Sequence, residues 1–281
     1  METSRAGETS IKTQQQQQQF SCDLVEESKN HVAFLQTLHL NGISILKPTV
    51  ETFRRYSELW LPLVHHHHDK DSAESEELHA LIPPGDIAWL WHCHRLAPYR
   101  YAKYVQNTFA PSSTTMTNDN LFVLDPKYPF VLQLEDNVTN ATFDASKHGD
   151  AARYTARLWK ELYPNESFFT APSANIDCKK DDEAKIGTEE AKSTLLSGFD
   201  VIESCERQKA FLWQVSQTNF NNDEFLAQGV DNYFKFVSLM KKEQEKPRFL
   251  VPTYQIDLMW HTHILHSIKM YHADCRNIIS S

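Results

Sequence analysis

The amino-acid sequence predicts a mainly α-helical fold. Apolar residues recur at helical spacing along most of the chain, as in HVAFLQTLHL (31–40) and PTVETFRRYSELWLPLV (48–64). The chain has only 7 glycines and neither a GxGxxG nor a GxxxxGK[ST] segment. This excludes the nucleotide-binding folds that depend on such glycine-rich loops. A Trp-His-x-His tetrapeptide occurs twice, each time inside a helical pattern. We therefore expect a helical protein with two related segments.

The N-terminal segment 1–22 has a composition that predicts disorder. It is polar and contains six consecutive glutamines, Gln14 to Gln19. Such a tract buries too little apolar surface to offset the entropy of ordering the chain. The folded part is predicted to be a single domain over residues 23–281.

The first half of this domain alternates helices with short breaks. Pro48 suits the first turn of a helix, and Pro62 predicts that this helix ends or bends. The stretch His65–His68 is polar and predicts a solvated loop. A Pro-Pro-Gly turn at 83–85 then precedes a helix that we expect Pro98 to kink.

The chain between residues 107 and 150 is irregular in pattern, with short extended segments predicted at 119–135. Helical periodicity returns afterwards and is interrupted by a polar stretch at 170–193. The predicted later helices lie in 151–163, 199–216, 223–244 and 248–275.

An internal repeat relates the two Trp-His-x-His segments. When Pro83–Leu96 is aligned with Pro252–Leu265, six of fourteen positions are identical, and three of these are Trp or His. Aromatic-rich helices precede both copies and include Trp60 and Trp213. We infer two distantly related helical halves, at about 23–150 and 151–281.

Composition excludes several classes of partner. The net charge of -9 and the absence of a Lys/Arg run argue against nucleic acid as a partner. No apolar run approaches the ~18 residues of a membrane span. The 5 cysteines are scattered without a CxxC pair, which is typical of reduced thiols and predicts a cytoplasmic protein.

The repeated histidines suggest a metal site, but helix geometry restricts it. Neutral imidazole is a common ligand of zinc and iron. Residues two apart on a helix lie on nearly opposite faces, so His92 and His94 do not both point at one ion. The same restriction holds for His261 and His263.

Helical spacing predicts a different ligand set. Asp257 and His261 are four apart and share a face, and His92 would add one imidazole from the other copy. Two nitrogens, one oxygen and a water resemble a catalytic zinc or non-haem iron shell. The sequence thus predicts a domain that binds a divalent transition metal. A more specific hypothesis is that the protein is a metalloenzyme acting on a small molecule. The alternate ligands are His94, His263 and His266, and the residues expected to line the site are Trp91, Trp260 and Cys93.

A non-enzymatic role explains the same residues. Trp and His side chains can hydrogen-bond and hold packed helices together, which makes the histidines structural. The domain would then be an interaction or regulatory scaffold with a protein partner. The sequence leaves open whether the protein is an enzyme.

Several longer segments carry a family resemblance. They are DIAWLWHCHRLAPYRY, GFDVIESCERQKAFLWQVS and VPTYQIDLMWHTHILH, together with RRYSELWLPLV and RLWKELYP. Over residues 29–276 the chain resembles the conserved N-terminal region of the plant glycine-rich domain-containing proteins, without their glycine-rich tail. Ala97 and Ser267 depart from the family pattern, which has Asn and Pro there. The resemblance implies a mainly helical intracellular domain linked to development and stress responses, and it implies no particular reaction.

Overall fold

The structure, a computed structural model, describes residues 20–42, 48–74, 80–109, 125–134, 148–169, 195–196, 198–243 and 250–280. These residues are mainly helical, which confirms the predicted fold class. The chain divides into two compact units. We call Asn41–Gln208 the central unit, and Met1–Leu40 with Lys209–Ser281 the terminal unit. Each unit carries one of the two Trp-His-x-His helices.

The central unit contains most of the short helices. Its elements are α2 (Val50–Arg54), a π-helical segment (Arg55–Trp60), α3 (Leu61–Glu74), α4 (Gly85–Arg95), α5 (Pro98–Phe109), α6 (Gly149–Leu162), β1 (Leu195–Leu196), β2 (Phe199–Asp200) and the start of α7 (Val201–Val215). The two strands form an antiparallel pair that the sequence did not predict. Large aromatic side chains fill the core of this unit, among them Trp60, Trp91 and Trp159.

The terminal unit packs long helices against one another. Its elements are α1 (Leu24–Leu40), the end of α7, a 3-10 helix (Thr218–Asn221), α8 (Asp223–Glu243), α9 (Tyr254–His266) and α10 (Ile268–Ser280). Helix α9 contacts α8, α1 and α10. At Gly229 of α8 a Cβ atom would lie 3.0 Å from Cγ of Gln255, so the absence of a side chain there permits the close approach of α8 and α9.

The helix continues through Pro62, so it does not end there, which was one of the two outcomes that the sequence predicted. The backbone passes from the π-helical segment directly into α3, and His65–His68 therefore lie in a helix instead of a loop. The Leu61 N–H bonds to the Tyr56 carbonyl, five residues earlier. The wider turn just before Pro62 accommodates a residue that lacks an N–H and would clash with the carbonyl four residues before it.

The predicted extended region at 119–135 is described over residues 125–134. This part is non-helical and forms one isolated parallel bridge, between Gln133 and Pro84. The Gly85 N–H donates to the Gln133 carbonyl at 2.8 Å, which ties the segment to the start of α4. The remaining residues of that prediction lie outside the described part of the chain.

The predicted domain limits and halves stay predictions. The glutamine tract lies outside the described residues, whereas Phe20 to Cys22, assigned to the tail by sequence, are described, and Phe20 is buried. The boundary between the compact units falls inside α7 and does not coincide with the predicted division at residue 150. Within the described ranges, no helix is both long and apolar enough to cross a membrane.

Candidate functional site

The first Trp-His-x-His segment lies in helix α4, which is buried on every side. Trp91, His92, Cys93 and His94 have no exposed surface. The indole of Trp91 packs edge-on against Trp60, with ring centroids 5.2 Å apart. This helix is therefore a core element of the central unit and not part of an open cleft.

His94 is held by a buried tyrosine. Its Nδ1 shares a 2.8 Å hydrogen bond with the Tyr56 hydroxyl, which the π-helical segment directs inward. The rings of Phe199, Tyr101 and Tyr104 surround the imidazole. Burial lowers the pKa of His94 to about 3, so this histidine is neutral at physiological pH.

His92 and Cys93 face other parts of the same core. The His92 ring stacks on Trp89 with centroids 5.0 Å apart and meets Tyr128 edge-on. Burial, and then the neighbouring Cys205 thiol, raises the pKa of Cys93 well above its usual value. A thiol in this environment stays protonated and is a poor nucleophile.

Arg95 fastens an irregular segment onto the first motif. Its guanidinium is completely buried and pairs with Asp125 at 3.0 Å. It also donates to the Pro126 carbonyl and lies over the rings of Trp91 and Tyr128. Pairing and cation–π contact satisfy a charge that would otherwise be costly to bury.

The second motif lies in helix α9, which is buried on one side only. The Thr253 side chain caps the helix by accepting from the Ile256 N–H. His263 is completely buried, whereas Trp260 and His261 are partly exposed. The Trp260 Nε1–H donates to the Tyr271 hydroxyl at 3.0 Å.

His263 connects a tyrosine with a carboxylate. Its Nδ1 shares a 3.1 Å hydrogen bond with the Tyr233 hydroxyl, and its Nε2 lies 3.1 Å from Oδ2 of Asp274. The same Asp274 oxygen accepts from the backbone N–H and the hydroxyl of Ser21, at 2.7 and 2.6 Å. Four polar residues thus form one continuous hydrogen-bonded chain.

The pKa values of this chain reflect competing effects. Burial lowers the pKa of His263, and the Asp274 carboxylate opposes this shift. Burial alone would raise the pKa of Asp274, but the hydrogen bonds from His263 and Ser21 outweigh it and lower the pKa. Asp274 is therefore ionised at neutral pH.

Asp257 and His261 lie four residues apart on α9. The His261 Nε2 is 3.9 Å from Oδ1 of Asp257, and the Phe211 ring lies against the imidazole, with centroids 4.4 Å apart. Burial lowers the pKa of His261 to about 3 and raises that of Asp257 to about 6. His266, an alternate ligand by sequence, pairs instead with Glu27 at 3.5 Å.

The predicted site residues thus divide into separate environments. His92 and His94 belong to the central unit, and Asp257, His261, His263 and His266 to the terminal unit. Within the described residues, no group of three or more His, Cys, Asp or Glu side chains is arranged to hold a metal ion. The ligand set of His92, His261 and Asp257 stays a prediction.

The sequence did not identify the tyrosines that hold the motif histidines. Tyr56 and Tyr233 each lie on the aromatic-rich helix that precedes their motif. The aromatic residues of these helices were therefore the sequence feature that could have indicated the two partners. The aromatic partner of each motif tryptophan follows its tyrosine: Trp60 contacts Trp91, and Phe236 contacts Trp260. The suggested counterpart of Trp60 was Trp213, but that side chain is 56% exposed.

Comparison with known proteins agrees with the segments that carry the resemblance. The family model "Glycine-rich domain-containing protein-like" matches residues 1–103 and 132–274. The chain belongs to this family. Both histidine–tyrosine pairs and Asp274 fall inside the matched residues.

Two plant relatives are similar along most of the chain. Glycine-rich domain-containing protein 1 of Arabidopsis thaliana is 32% identical over 254 residues, which cover 89% of this chain and 27% of the relative. Glycine-rich domain-containing protein 2 of the same plant is 32% identical over 252 residues, with the same shares covered. The chain therefore spans about a quarter of the length of these curated relatives. No solved structure matches.

Proposed function

We propose that this domain is a non-enzymatic interaction scaffold in which the motif histidines hold the fold. The observation that carries the proposal is the repeated pairing of a buried histidine with a buried tyrosine hydroxyl, His94 with Tyr56 and His263 with Tyr233. Both histidines use Nδ1 for this bond. Such pairs satisfy polar groups that would otherwise be costly inside a core.

The family supports a modular role. The matching region is about a quarter of each plant relative, so there it is one part of a longer polypeptide. By the same resemblance, we propose a regulatory role in development or stress responses. We place the domain in the cytoplasm, because the described cysteines Cys22, Cys93, Cys205 and Cys275 are free thiols.

A metal-binding function is the second candidate, and one observation favours it. Asp257 and His261 share a face of α9, and the Nδ1 of His261 has no hydrogen-bond partner among the described residues. A carboxylate and an imidazole suit zinc or iron, and His92 is the third ligand that the sequence predicts. In its stronger form, this candidate is a metalloenzyme acting on a small molecule.

One pair of variants separates the two candidates. His263→Ala removes the residue between Tyr233 and Asp274, and His261→Ala removes the proposed ligand two positions earlier. If the domain is a scaffold, tag-free wild-type protein contains no stoichiometric metal by elemental analysis. His263→Ala then lowers the melting temperature more than His261→Ala does, because it leaves buried polar groups without partners, at a cost of about 1–3 kcal/mol each.

The opposite result supports the metal. The scaffold proposal would be overturned if the wild type contains stoichiometric zinc or iron and His261→Ala and Asp257→Ala lose it. The matched surface control, Asp223→Ala, should then retain the metal. Metal content is measured on protein purified without an affinity tag, because His65–His68 can bind metal adventitiously.

A further inference from the structure

A buried aromatic residue near the start of the described chain occupies a slot on the terminal unit. Phe20 is only 6% exposed. Its ring stacks on Tyr233, with centroids 5.3 Å apart and planes 13° from parallel. The rings of Phe234 and His263 meet Phe20 edge-on at 6.3 and 5.1 Å. We call the space between Tyr233, Phe234 and His263 the aromatic slot.

The residue after Phe20 is bound by a carboxylate beside the slot. Ser21 donates twice to Oδ2 of Asp274, through its backbone N–H and its hydroxyl. The hydrogen bond from His263 to the same oxygen holds the carboxylate in position. The slot and the carboxylate together hold an aromatic side chain followed by a residue that offers both an N–H and a hydroxyl, here the dipeptide Phe20–Ser21.

The recognising groups come from elements far along the chain. Tyr233 and Phe234 lie on α8, His263 on α9 and Asp274 on α10, and Ser21 is 253 residues from Asp274 in sequence. None of these helices needs Phe20 or Ser21 for its own backbone hydrogen bonds. The slot is thus built by the helical body of the unit, and Phe20 and Ser21 occupy it as a ligand occupies a site.

The occupying dipeptide is also separable from the helix that follows it. Asp23 caps α1, since its Oδ1 accepts from the N–H groups of Val25 and Glu26 at 3.1 Å. This cap satisfies two of the free donors at the helix start without help from Phe20 or Ser21. The dipeptide can therefore leave the slot while α1 stays intact.

We propose that the aromatic slot and Asp274 form a peptide-recognition site for an aromatic–serine motif on a partner protein, with Phe20 and Ser21 as its intramolecular occupant. The inference rests on the proposed interaction function and names the chemistry of the partner. An occupant on the same chain acts at an effective concentration on the order of millimolar. A partner motif therefore binds only when it displaces Phe20 and Ser21 from the site, so weakly binding ligands are excluded.

The test uses the full chain with an emptied slot. Phe20→Ala removes the occupant's ring and leaves the recognising residues unchanged. The probe is a fluorescein-labelled peptide with the sequence of residues 18–24 and serine in place of Cys22, followed by fluorescence anisotropy. We expect the Phe20→Ala protein to bind this peptide at least tenfold more tightly than the wild type. The same peptide with alanine in place of phenylalanine is the matched control and should not bind.

A second substitution tests the carboxylate. Adding Asp274→Asn to Phe20→Ala should weaken peptide binding at least tenfold, because the two hydrogen bonds from the peptide serine lose their charged acceptor. Asp223→Asn, on the exposed start of α8, is the matched carboxylate control and should leave binding unchanged. Equal binding by the Phe20→Ala protein with and without Asp274→Asn would overturn the proposal.

Folding of the variants is checked by circular dichroism and thermal melting. If Phe20→Ala does not fold, Ser21→Gly serves instead, because it keeps the Phe20 ring and removes one of the two hydrogen bonds to Asp274. It should bind the peptide more tightly than the wild type. The inference is overturned if a folded variant binds the phenylalanine peptide no more tightly than it binds the alanine control peptide.

Two further outcomes of the peptide-binding experiment lead to different conclusions. A wild-type dimer in sedimentation that the peptide dissociates would replace the partner protein with a second copy of this chain, and would also overturn the proposal. Absence of peptide binding leaves the scaffold proposal intact if His263→Ala still lowers the melting temperature and the protein contains no metal. The two proposals therefore fail by different measurements.

Discussion

The two Trp-His-x-His helices use the same residues in different surroundings. In both, the second histidine bonds through Nδ1 to a tyrosine on a preceding helix. In both, the tryptophan packs against an aromatic ring near that tyrosine, Trp60 in one case and Phe236 in the other. The repeat in sequence is therefore a repeat in side-chain contacts.

The spacing of these partners differs between the two copies. Tyr56 and Trp60 are four residues apart, whereas Tyr233 and Phe236 are three apart. The first pair lies in a π-helical turn, which takes up more residues than the α-helical turn that carries the second. Both spacings place the tyrosine and the second aromatic residue on one helix face.

The second ring nitrogen of each histidine distinguishes the copies. Nε2 of His94 has no hydrogen-bond partner among the described residues, and the imidazole lies among aromatic rings. Nε2 of His263 contacts the Asp274 carboxylate. The imidazole of the first copy therefore has one polar contact, whereas that of the second connects a tyrosine hydroxyl with a carboxylate.

The largest expected effect is on stability, and it should differ between the two motif helices because their tryptophans differ in burial. Trp91→Ala should lower the free energy of unfolding by about 3–5 kcal/mol, because it leaves a cavity in a fully buried core. Trp260→Ala should cost less, since part of its ring already contacts water. Urea unfolding followed by far-UV circular dichroism measures both. Equal losses would mean that the two motif helices are equally important to the core.

The pH dependence of stability should distinguish the two histidines. The folded protein lowers the pKa of His94 to about 3, while the unfolded chain protonates this side chain near 6.5. Below that pH the unfolded state binds the proton first, so stability falls as the pH falls from about 6.5 to 3. The loss for one such histidine approaches about 1.4 kcal/mol per pH unit.

Two phenylalanine variants test this difference. His94→Phe should flatten the decline of unfolding free energy between pH 6.5 and 4.5, because it removes the titrating group. His263→Phe should flatten it less, since Asp274 favours the charged imidazole and opposes the lowering of the pKa. Urea unfolding at four pH values measures the slopes. A greater flattening by His263→Phe would contradict the contrast.

The smallest expected effect tests the feature that the copies share. Tyr56→Phe and Tyr233→Phe each remove one hydroxyl from a buried hydrogen bond with a histidine. Each should lower the free energy of unfolding by about 1 kcal/mol, the usual net contribution of such a bond. Tyr99→Phe, on the exposed face of α5, is the matched control and should change stability little. A marked difference between the two buried tyrosines would show that the shared contact differs in strength between the copies.

Most of the secondary structure follows from the sequence pattern. Helical periodicity located α1, α6, α8 and α9, because an amphipathic helix records its buried face in the order of its residues. Helix α4 is buried on every side, and its start was indicated by the Pro-Pro-Gly turn before it. An end of the helix at Pro62, one of the two predicted outcomes, was wrong, since a π-helical turn depends on packing that periodicity does not record. The short β1–β2 pair was also missed, because two-residue strands carry no detectable alternation.

The candidate site was predictable only in part. The repeated motif and the i,i+4 relation of Asp257 and His261 come directly from residue spacing, and the structure has these two side chains on one face. Asp274 and Ser21 lie 253 residues apart, so no local pattern links them. Their contact with each other depends on where α10 and the chain before α1 lie in the folded unit.

The sequence by itself determined that this protein is helical, that its Trp-His-x-His segment is repeated and that histidines two apart on a helix diverge. These properties follow from local geometry and residue type. Only the tertiary structure decided what each histidine contacts: Tyr56 among aromatic rings for His94, Tyr233 and Asp274 for His263. The reason is physical, because a side chain's partners and its pKa are set by neighbours in space, and those neighbours come from distant parts of the chain.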